Sequence, residues 1–525
     1  MANPSEQHWD IVIVGTGAAA LTSALSAATT TTPSPRILLI DKAPKEWVGG
    51  NGYFTAAAYR TVHHGLSDIL PLVSNVQPEQ QDKIDLPSYT SKNFQDDLDR
   101  LCHGKSDPVL SSYLINESLE TVQWLKTVGG VDWWLSFRRQ SYEVDGRIVF
   151  WGGLHLTVQD GGKGLIANLL ASARAAGCII EFEAAAQDIL LDEQGGVRAL
   201  SVFKDGKHYE VKTTSIILCA GGFEASPELR RKYMGEGWDR AHTRGTPYNT
   251  GDMLSVAAKL GAQLKGDFSF EGCHSVSWDA DSPSSGGDRV KTNEFTKNGY
   301  PLGLMLNASG ERFVDEGSDL RNYTYAKNGR AVLQQPKSIA WQVWDSDALP
   351  WLKKEEYRDE ICRKTWANSI EELADKLTRD GLDDPTAFIK TIEEYNAAVT
   401  AYRAEHPGAK LNPAIKDGLS TQSSTKQLQL PKSNWALPVV KAPFMAVKIT
   451  TGITFTFGGL AINPETATVL REDGSEIIGL HCAGEMVGGL FYANYPGGSG
   501  LMAGAVFGRR AGRAAADRAS SRSTQ

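Results

Sequence analysis

Cysteine is scarce: the chain has 525 residues and only 6 Cys. Cys102, Cys178, Cys219, Cys273, Cys362 and Cys482 stand far apart, with no C-x-x-C pair among them. That spacing excludes a disulfide scaffold, a cysteine-built zinc site and a C-x-x-C-H haem attachment. Long apolar runs are missing too. No stretch of about 18 apolar residues occurs, so no membrane-spanning helix is expected. The first residues, MANPSEQHWD, carry neither a basic nor an apolar stretch, so no signal peptide is expected. The last, SRSTQ, match no retrieval or peroxisomal address. A reduced, cytoplasmic location is the expectation. There is no basic excess: 54 Lys+Arg face 62 Asp+Glu, a net charge of −8. That balance argues against nucleic acid as the main partner. Charged residues at 22% and hydrophobic residues at 41% exclude wholesale disorder.

Glycine is in excess. The chain holds 52 Gly, above the average of about 7%. Ten of the 34 residues from Gly479 to Gly512 are Gly. Backbone there must approach something closely or take up positive φ. At the N-terminal end, Asp10–Val14 reads as a short buried strand. Gly15-Thr16-Gly17-Ala18-Ala19-Ala20 follows, then a helix over Leu21–Ala28, and a second apolar strand, Ile37–Ile40, ends at Asp41. This is a β–loop–α–β unit with GxGxxA at its first turn. Gly15 permits the tight turn, Gly17 lets backbone reach a pyrophosphate, and Ala20 allows close helix–strand packing. The helix start offers N–H groups to phosphate, and Asp41 would accept from ribose hydroxyls. Gly49-Gly50-Asn51 follows within ten residues of Asp41. Its small residues let a large ligand extend past the ribose, which favours FAD over NAD; no second fingerprint is present.

Further elements are readable. A helix is expected over Leu165–Ala175, a strand over Cys178–Phe182, and an antiparallel excursion over Ala186–Val211. Another strand is expected over Ser215–Cys219 and a helix over Gly251–Leu260. Asp384-Pro385 should cap a structural helix, Thr386–Ala401. Asp279–Asp288 and Pro407–Asn434 read as polar loops. Strand chemistry resumes around Ile449–Asn463, and a helix closes the chain over Leu501–Ala516. The expected fold class is α/β: a discontinuous Rossmann-like dinucleotide domain, 1–250 plus 440–525, with a second domain inserted over 251–439.

The motifs GTGAAA (15–20), Asp41, GGN (49–51), CAGGFEAS (219–226), NTGDM (249–253), GERFVDE (310–316) and AGEMVGG (483–489) occur in one chain. In that combination the chain resembles the FAD-dependent fumarate reductase and succinate dehydrogenase flavoprotein superfamily. GGNGYFTAAAYR, DEGSDLRNYTYAKNGR, GITFTFGGL and ANYPGGSGLMAGAVFGR make it most similar to the tricarballylate dehydrogenase-like branch. The resemblance implies an inserted α+β capping domain that closes over the flavin. It implies a cofactor site of Gly15, Gly17, Ala18, Ala19, Asp41 and Lys42; Gly50, Asn51, Gly52, Thr55, Ala56 and Ala186; Cys219, Ala220, Gly221, Asn249, Gly251 and Asp252; and Gly484, Glu485, Gly498, Ser499, Gly500 and Leu501. Glu485 falls at the ribityl chain, and Ser499–Leu501 at the flavin pyrimidine, where helix N–H groups stabilise negative charge. The glycine cluster Gly484–Gly508 would thus lie beneath the flavin. His63-His64 could suggest covalent attachment, but the local motif is absent, so non-covalent FAD is expected. No metal is expected.

The same resemblance implies a proton-transfer arginine. Arg321 stands one residue later than in the family pattern. An arginine's ordinary pKa lies above about 12, so it would act only within a relay, here Glu294 and Lys297. Alternatively, Arg321 clamps a substrate carboxylate or pairs with Asp319 or Glu316. His274 matches a side chain that hydrogen-bonds a substrate carboxylate, and Arg244 is a candidate anion contact. Tyr53, Tyr59, Tyr323 and Tyr325 are candidates to line the pocket. Where the family carries a His and an Arg for one end of a dicarboxylate, this chain has Thr454 or Phe455 and Tyr495. A buried carboxylate there would lack a partner, at a cost of several kcal/mol. Fumarate and succinate are therefore not the expected substrates. Tyr495 in Tyr-Pro-Gly is also similar to the ketosteroid dehydrogenase pattern, in which Tyr polarises a carbonyl. The implied function is desaturation of a C–C bond beside a carboxylate or carbonyl. The alternatives are the reverse ene-reduction, ketosteroid-dehydrogenase-like desaturation of a larger metabolite, and a non-catalytic flavoprotein. The substrate is a small molecule, and the electron partner is open.

Overall fold

A computed structural model describes residues 8–283 and 288–523. The first seven residues, part of the expected 279–288 loop and the last two residues lie outside it. The strands Ile11–Val14, Ile37–Ile40 and Ile216–Leu218 are buried along their whole length, as central parallel strands covered on both faces must be. They form a six-stranded sheet in the order 468–470, 476–482, 216–218, 11–14, 37–40, 179–181. All neighbours pair in parallel except the first two. A three-stranded antiparallel sheet, Ala185–Leu191, Val197–Lys204 and Lys207–Lys212, fills the place of the expected excursion.

Helix Ala18–Thr30 leaves the first strand at the glycine turn and packs along the long C-terminal helix Ser499–Ser523. Part of the C-terminal glycine excess serves this packing. A Cβ on Gly512 would sit 2.3 Å from the Ser23 carbonyl oxygen, and one on Gly508 would sit 3.0 Å from that of Ala19. The glycine cluster therefore divides between the cavity and a helix–helix contact.

The second sheet is built on the 13-residue strand Phe444–Thr456. Cys273–Asp279, Ala340–Trp344 and Thr365–Ala367 pair with it antiparallel, and Leu304–Asn307 adds beyond Ala340–Trp344. Helix Pro385–Glu405, capped by Asp384 as expected, packs its Phe388, Ile392 and Tyr395 in a separate core beneath this sheet. Helix Asp252–Lys259 packs instead on strand Ala185–Leu191. We propose on these pairings that the second unit runs from about Cys273 to Thr456, rather than over 251–439. No helix among the described residues is long and apolar enough to cross a membrane.

Candidate active site

The glycine turn, the GGN segment, the end of strand Ile216–Leu218 and the start of the C-terminal helix converge on a cavity of about 300 Å³. Gly15 has φ +111°, and a Cβ there would sit 2.4 Å from the Cys219 carbonyl oxygen. Only glycine fits that crossing. No side chain caps helix Ala18–Thr30 at Gly17, so its first N–H groups face the cavity and suit a phosphate. At one end Asp41 accepts from Thr16 Oγ1 (2.5 Å) and from the Ala43 N–H (2.9 Å). Burial raises its pKa. Lys42 and Asp252 also line the cavity, but they are ion-paired to one another. Of the expected cofactor residues only Ser499 is not on the wall; its hydroxyl donates to the Pro496 carbonyl at 2.5 Å. His63 lies away from the cavity, buried against His155. A dinucleotide fits this cradle: a side-chain acceptor at one end, an uncapped helix start at the turn, and closely approaching backbone along its length.

The cavity continues beyond the cradle into an aromatic cage. His274 stacks on Phe455 with ring centroids 5.6 Å apart. It meets Tyr325 and Tyr495 edge-on at 4.8 and 5.1 Å. Phe457 and Phe491 complete the wall against Tyr495. The Tyr325 hydroxyl donates to that of Tyr495 at 3.3 Å. Burial pushes Tyr495 up to about 12 and Tyr325 well above its ordinary value, so both remain phenols. Burial, followed by the Arg244 charge, holds His274 well below its usual pKa. His274 is a neutral imidazole, able to donate a hydrogen bond but not to bring a cation.

Positive charge also borders the cavity. Arg244 is buried and donates to Thr454 Oγ1 at 2.9 Å. Burial and the Arg139 charge pull its pKa down to about 10, so it stays cationic at neutral pH. Arg321, the first residue of helix Arg321–Leu333, is 9% exposed and lines the cavity. Its guanidinium donates to the Arg139 carbonyl and lies over the Trp151 ring, 5.1 Å from the centroid. It pairs with neither acid the sequence offered: Asp319 binds Arg100, and Glu316 binds Arg312.

The expected relay is not assembled. Glu294 is bound to Arg358, and Lys297 points its ammonium at Asp279 (3.5 Å) and the Glu294 carbonyl (2.8 Å). Neither lines the cavity. The carboxylate beside the arginines is Glu356, 2% exposed. It accepts from Arg139 Nη2 at 3.2 Å and from the Asn298 N–H at 2.9 Å. Arg139 and Glu356 were not singled out from sequence. Arg139 sits in a basic pair inside an aromatic stretch, WWLSFRRQSYEVDGRIVFW, which was the available signal. Glu356 lies in a charged helix with none.

Tyr323, expected on the wall, stands behind it. Its hydroxyl lies 2.8 Å from Asp97 Oδ2 and 2.9 Å from the Gly152 carbonyl oxygen. Tyr59 packs edge-on against Trp133, and Tyr53 lies beneath the Arg289 guanidinium. Neither reaches the cavity. The centre of the Tyr323 cluster is Arg60, fully buried. It donates to the Gly497 carbonyl (2.8 Å), Tyr89 Oη (2.7 Å), Asp97 (3.3 Å) and the Gly152 carbonyl (3.1 Å). Arg60 thereby ties down the Tyr495–Gly498 loop.

Residues 10–501 match the FAD binding domain family model, and the chain belongs to that family of flavoproteins. It binds FAD and is an FAD-dependent oxidoreductase of the kind that acts on CH–CH groups. Among known relatives, a probable fumarate reductase of Shewanella frigidimarina is 26% identical over 528 residues, covering 99% of this chain and 76% of the relative. The solved open form of a flavocytochrome c3 fumarate reductase superposes with a TM-score of 0.72 at 22% identity, over 98% of this chain and 79% of that one. The 3-ketosteroid delta1-dehydrogenase of Sterolibacterium denitrificans, solved with 1,4-androstadiene-3,17-dione, superposes with a TM-score of 0.71 at 16% identity, over 97% and 100%. These two structures speak for the fold alone. The narrower resemblance to the tricarballylate dehydrogenase-like branch is not carried by these matches.

Proposed function

We propose that this enzyme transfers hydrogen at a C–C bond next to a carboxylate or carbonyl, in a substrate with a flat, apolar ring body. The observation that carries this reading is one cavity that joins an aromatic cage to buried arginines. Five aromatic rings and a neutral His274 line it together with Arg244, Arg321 and Arg139. An apolar ring gains from burial in the cage, by about 25 cal/mol per Å² removed from water. An anionic group gains from the arginines, which present bidentate donors. Fumarate, with a carboxylate at each end and no apolar body, would set a charge against Phe455, Phe457 and Tyr495 and leave the rings without an apolar partner.

FAD when bound supplies the hydride acceptor or donor. The protein's own part is to position the substrate and move a proton. Tyr495 and His274, both neutral, donate hydrogen bonds to a carbonyl in the cage. Arg321 orients the substrate's acidic group, and Glu356, off the cavity wall and joined to Arg321 through Arg139, takes the carboxylate's place in the relay. Lys353, pulled down to about 7 by burial and then by the Arg321 charge, links that cluster to solvent. Direction is set by the redox partner, an electron donor or acceptor outside this chain. Cofactor attachment through contacts alone, without a covalent bond, is part of this reading.

The test is anaerobic mixing of the oxidised holoenzyme with saturated ring-bearing acids and ring ketones. Bleaching of the flavin absorbance by one class supports the proposal. No bleaching across the panel, together with no reoxidation of the reduced enzyme by the unsaturated partners, contradicts it.

A further inference from the structure

Beneath the cofactor cradle lie two acidic side chains whose carboxyl groups stand close enough to hydrogen-bond to one another. Glu224, from the segment after strand Ile216–Leu218, is fully buried. Glu485, from the turn after strand Glu476–Cys482, lines the cavity in front of it. Neutral donors surround the pair. Asn51 Nδ2 and Asn249 Nδ2 donate to Glu224 Oε1 at 2.5 and 2.6 Å. The Thr456 N–H and hydroxyl lie 2.7 and 3.1 Å from Glu485 Oε1. Arg230, on which the Glu224 charge acts, donates its guanidinium to the Ala241 and Asp239 carbonyls.

The second oxygen of Glu224, Oε2, is buried without a donor. Buried acceptors of native proteins are nearly always satisfied. Glu485, and not Glu224, is on the cavity wall. Two ionised carboxylates in contact, away from water, would repel strongly. One proton between them removes both difficulties: it halves the charge and provides the donor that Oε2 lacks. The room for this contact comes from Gly222, where a Cβ would sit 2.2 Å from Glu485 Oε1.

We infer that Glu224 and Glu485 share one proton in the resting enzyme, and that Glu224 is a positioning residue of the FAD site acting through Glu485. The pair presents one negative charge to the cofactor, not two, and fixes the orientation of the Glu485 carboxyl on the cavity wall. Burial raises the pKa of both groups, and the Glu224 charge raises Glu485 further, consistent with the geometry. The inference rests on the FAD site alone and is independent of the proposed substrate.

The experiment is infrared spectroscopy of the holoenzyme carrying glutamate labelled with carbon-13 in its side-chain carboxyl. At neutral pH the wild type should show an isotope-shifted band of a protonated carboxyl. That band should be lost or displaced in both Glu224→Gln and Glu485→Gln, and unchanged in Glu294→Gln. Glu224→Gln keeps an oxygen for Asn51 and Asn249, so it should retain FAD where Glu224→Ala does not. Should a variant fail to fold, titration of the wild type decides: the band should vanish at alkaline pH in step with a change in the flavin spectrum. No protonated glutamate at neutral pH, or a band indifferent to both substitutions, overturns the inference.

Discussion

Replacing Arg60 by Met removes the tether of the loop that carries Tyr495. Methionine fills much of the same volume without the guanidinium. The change strands the Gly497 carbonyl in a dry interior, while the Gly152 carbonyl keeps Asn322 and Tyr323 and the Tyr89 hydroxyl keeps Asp97. It also takes one cation from Asp97, whose side chain is 13% exposed. Breaking a buried ion pair from one side costs about 3–5 kcal/mol, and the one stranded acceptor costs about 1–3 kcal/mol more. Asp97 retains Arg100 at 3.0 Å and the two tyrosine hydroxyls, and such losses do not add in full. The expected loss of stability is therefore about 3–5 kcal/mol. Urea unfolding of the holoenzyme, followed by tryptophan fluorescence, measures it. Flavin retention on gel filtration reports the loop, since Gly498 and the helix start beyond it line the cofactor cavity. Asp97→Asn should cost less than Arg60→Met, because the hydrogen bonds to the two carbonyls survive. A loss below about 1 kcal/mol for Arg60→Met, the size of an ordinary surface change, would refute the reasoning.

Gly222→Ala should weaken FAD binding by at least tenfold, because its methyl group would overlap Glu485 Oε1 and Thr456 Oγ1, both at 2.2 Å; flavin fluorescence titration measures it. Tyr495→Phe should lower turnover by about 10²-fold, the typical effect of losing one donor to a developing oxyanion, while the flavin spectrum stays near that of the wild type. Glu356→Gln should shift the pH–rate profile, and Glu294→Gln should leave it in place. Acid should destabilise the fold. Burial lowers His63 and His481 to about 4 and lowers His155 and His274 as well, from an ordinary value of 6.5. The unfolded chain then takes up protons before the folded one, so stability is lost as pH falls from 6.5 towards 4. Melting temperature across that window measures the slope, and His63→Gln should flatten it.

The cofactor half was legible because its determinants are local. Buried strands, the Gly15 turn, the helix start and the terminal Asp41 follow one another within a single β–α–β unit, and each has its own chemistry. The relay was misassigned for the opposite reason. Glu294 and Lys297 keep the spacing of a sequence pattern. Their side chains, however, answer to Arg358 and Asp279, which arrive from other elements. Arg60, Asp97, Arg139, Glu224 and Glu356 gain their roles only from contacts across distant segments, such as Arg60 with Gly497. Periodicity and turn chemistry carry no trace of such pairings. The helices Ser91–Leu101 and Pro108–Asn116 were likewise not read. Tyr495, and Thr454 or Phe455, were legible as candidates because a change of charge inside a motif is visible one residue at a time. The cage that Tyr495 and Phe455 build with His274 is visible only in three dimensions.

The most direct test of the central claim uses the photoreduced holoenzyme under anaerobic conditions. It is mixed in parallel with a ring-bearing unsaturated acid such as cinnamate, its neutral amide, a cyclic enone and fumarate. The account predicts that a ring-bearing acid or enone restores the oxidised flavin spectrum. It predicts that the amide is slower than its acid by about 10-fold or more, for want of a charge to meet the arginines. Fumarate should act far more slowly than either. Reoxidation by fumarate as fast as by any ring compound would contradict it, as would a flavin that none of the four reoxidises.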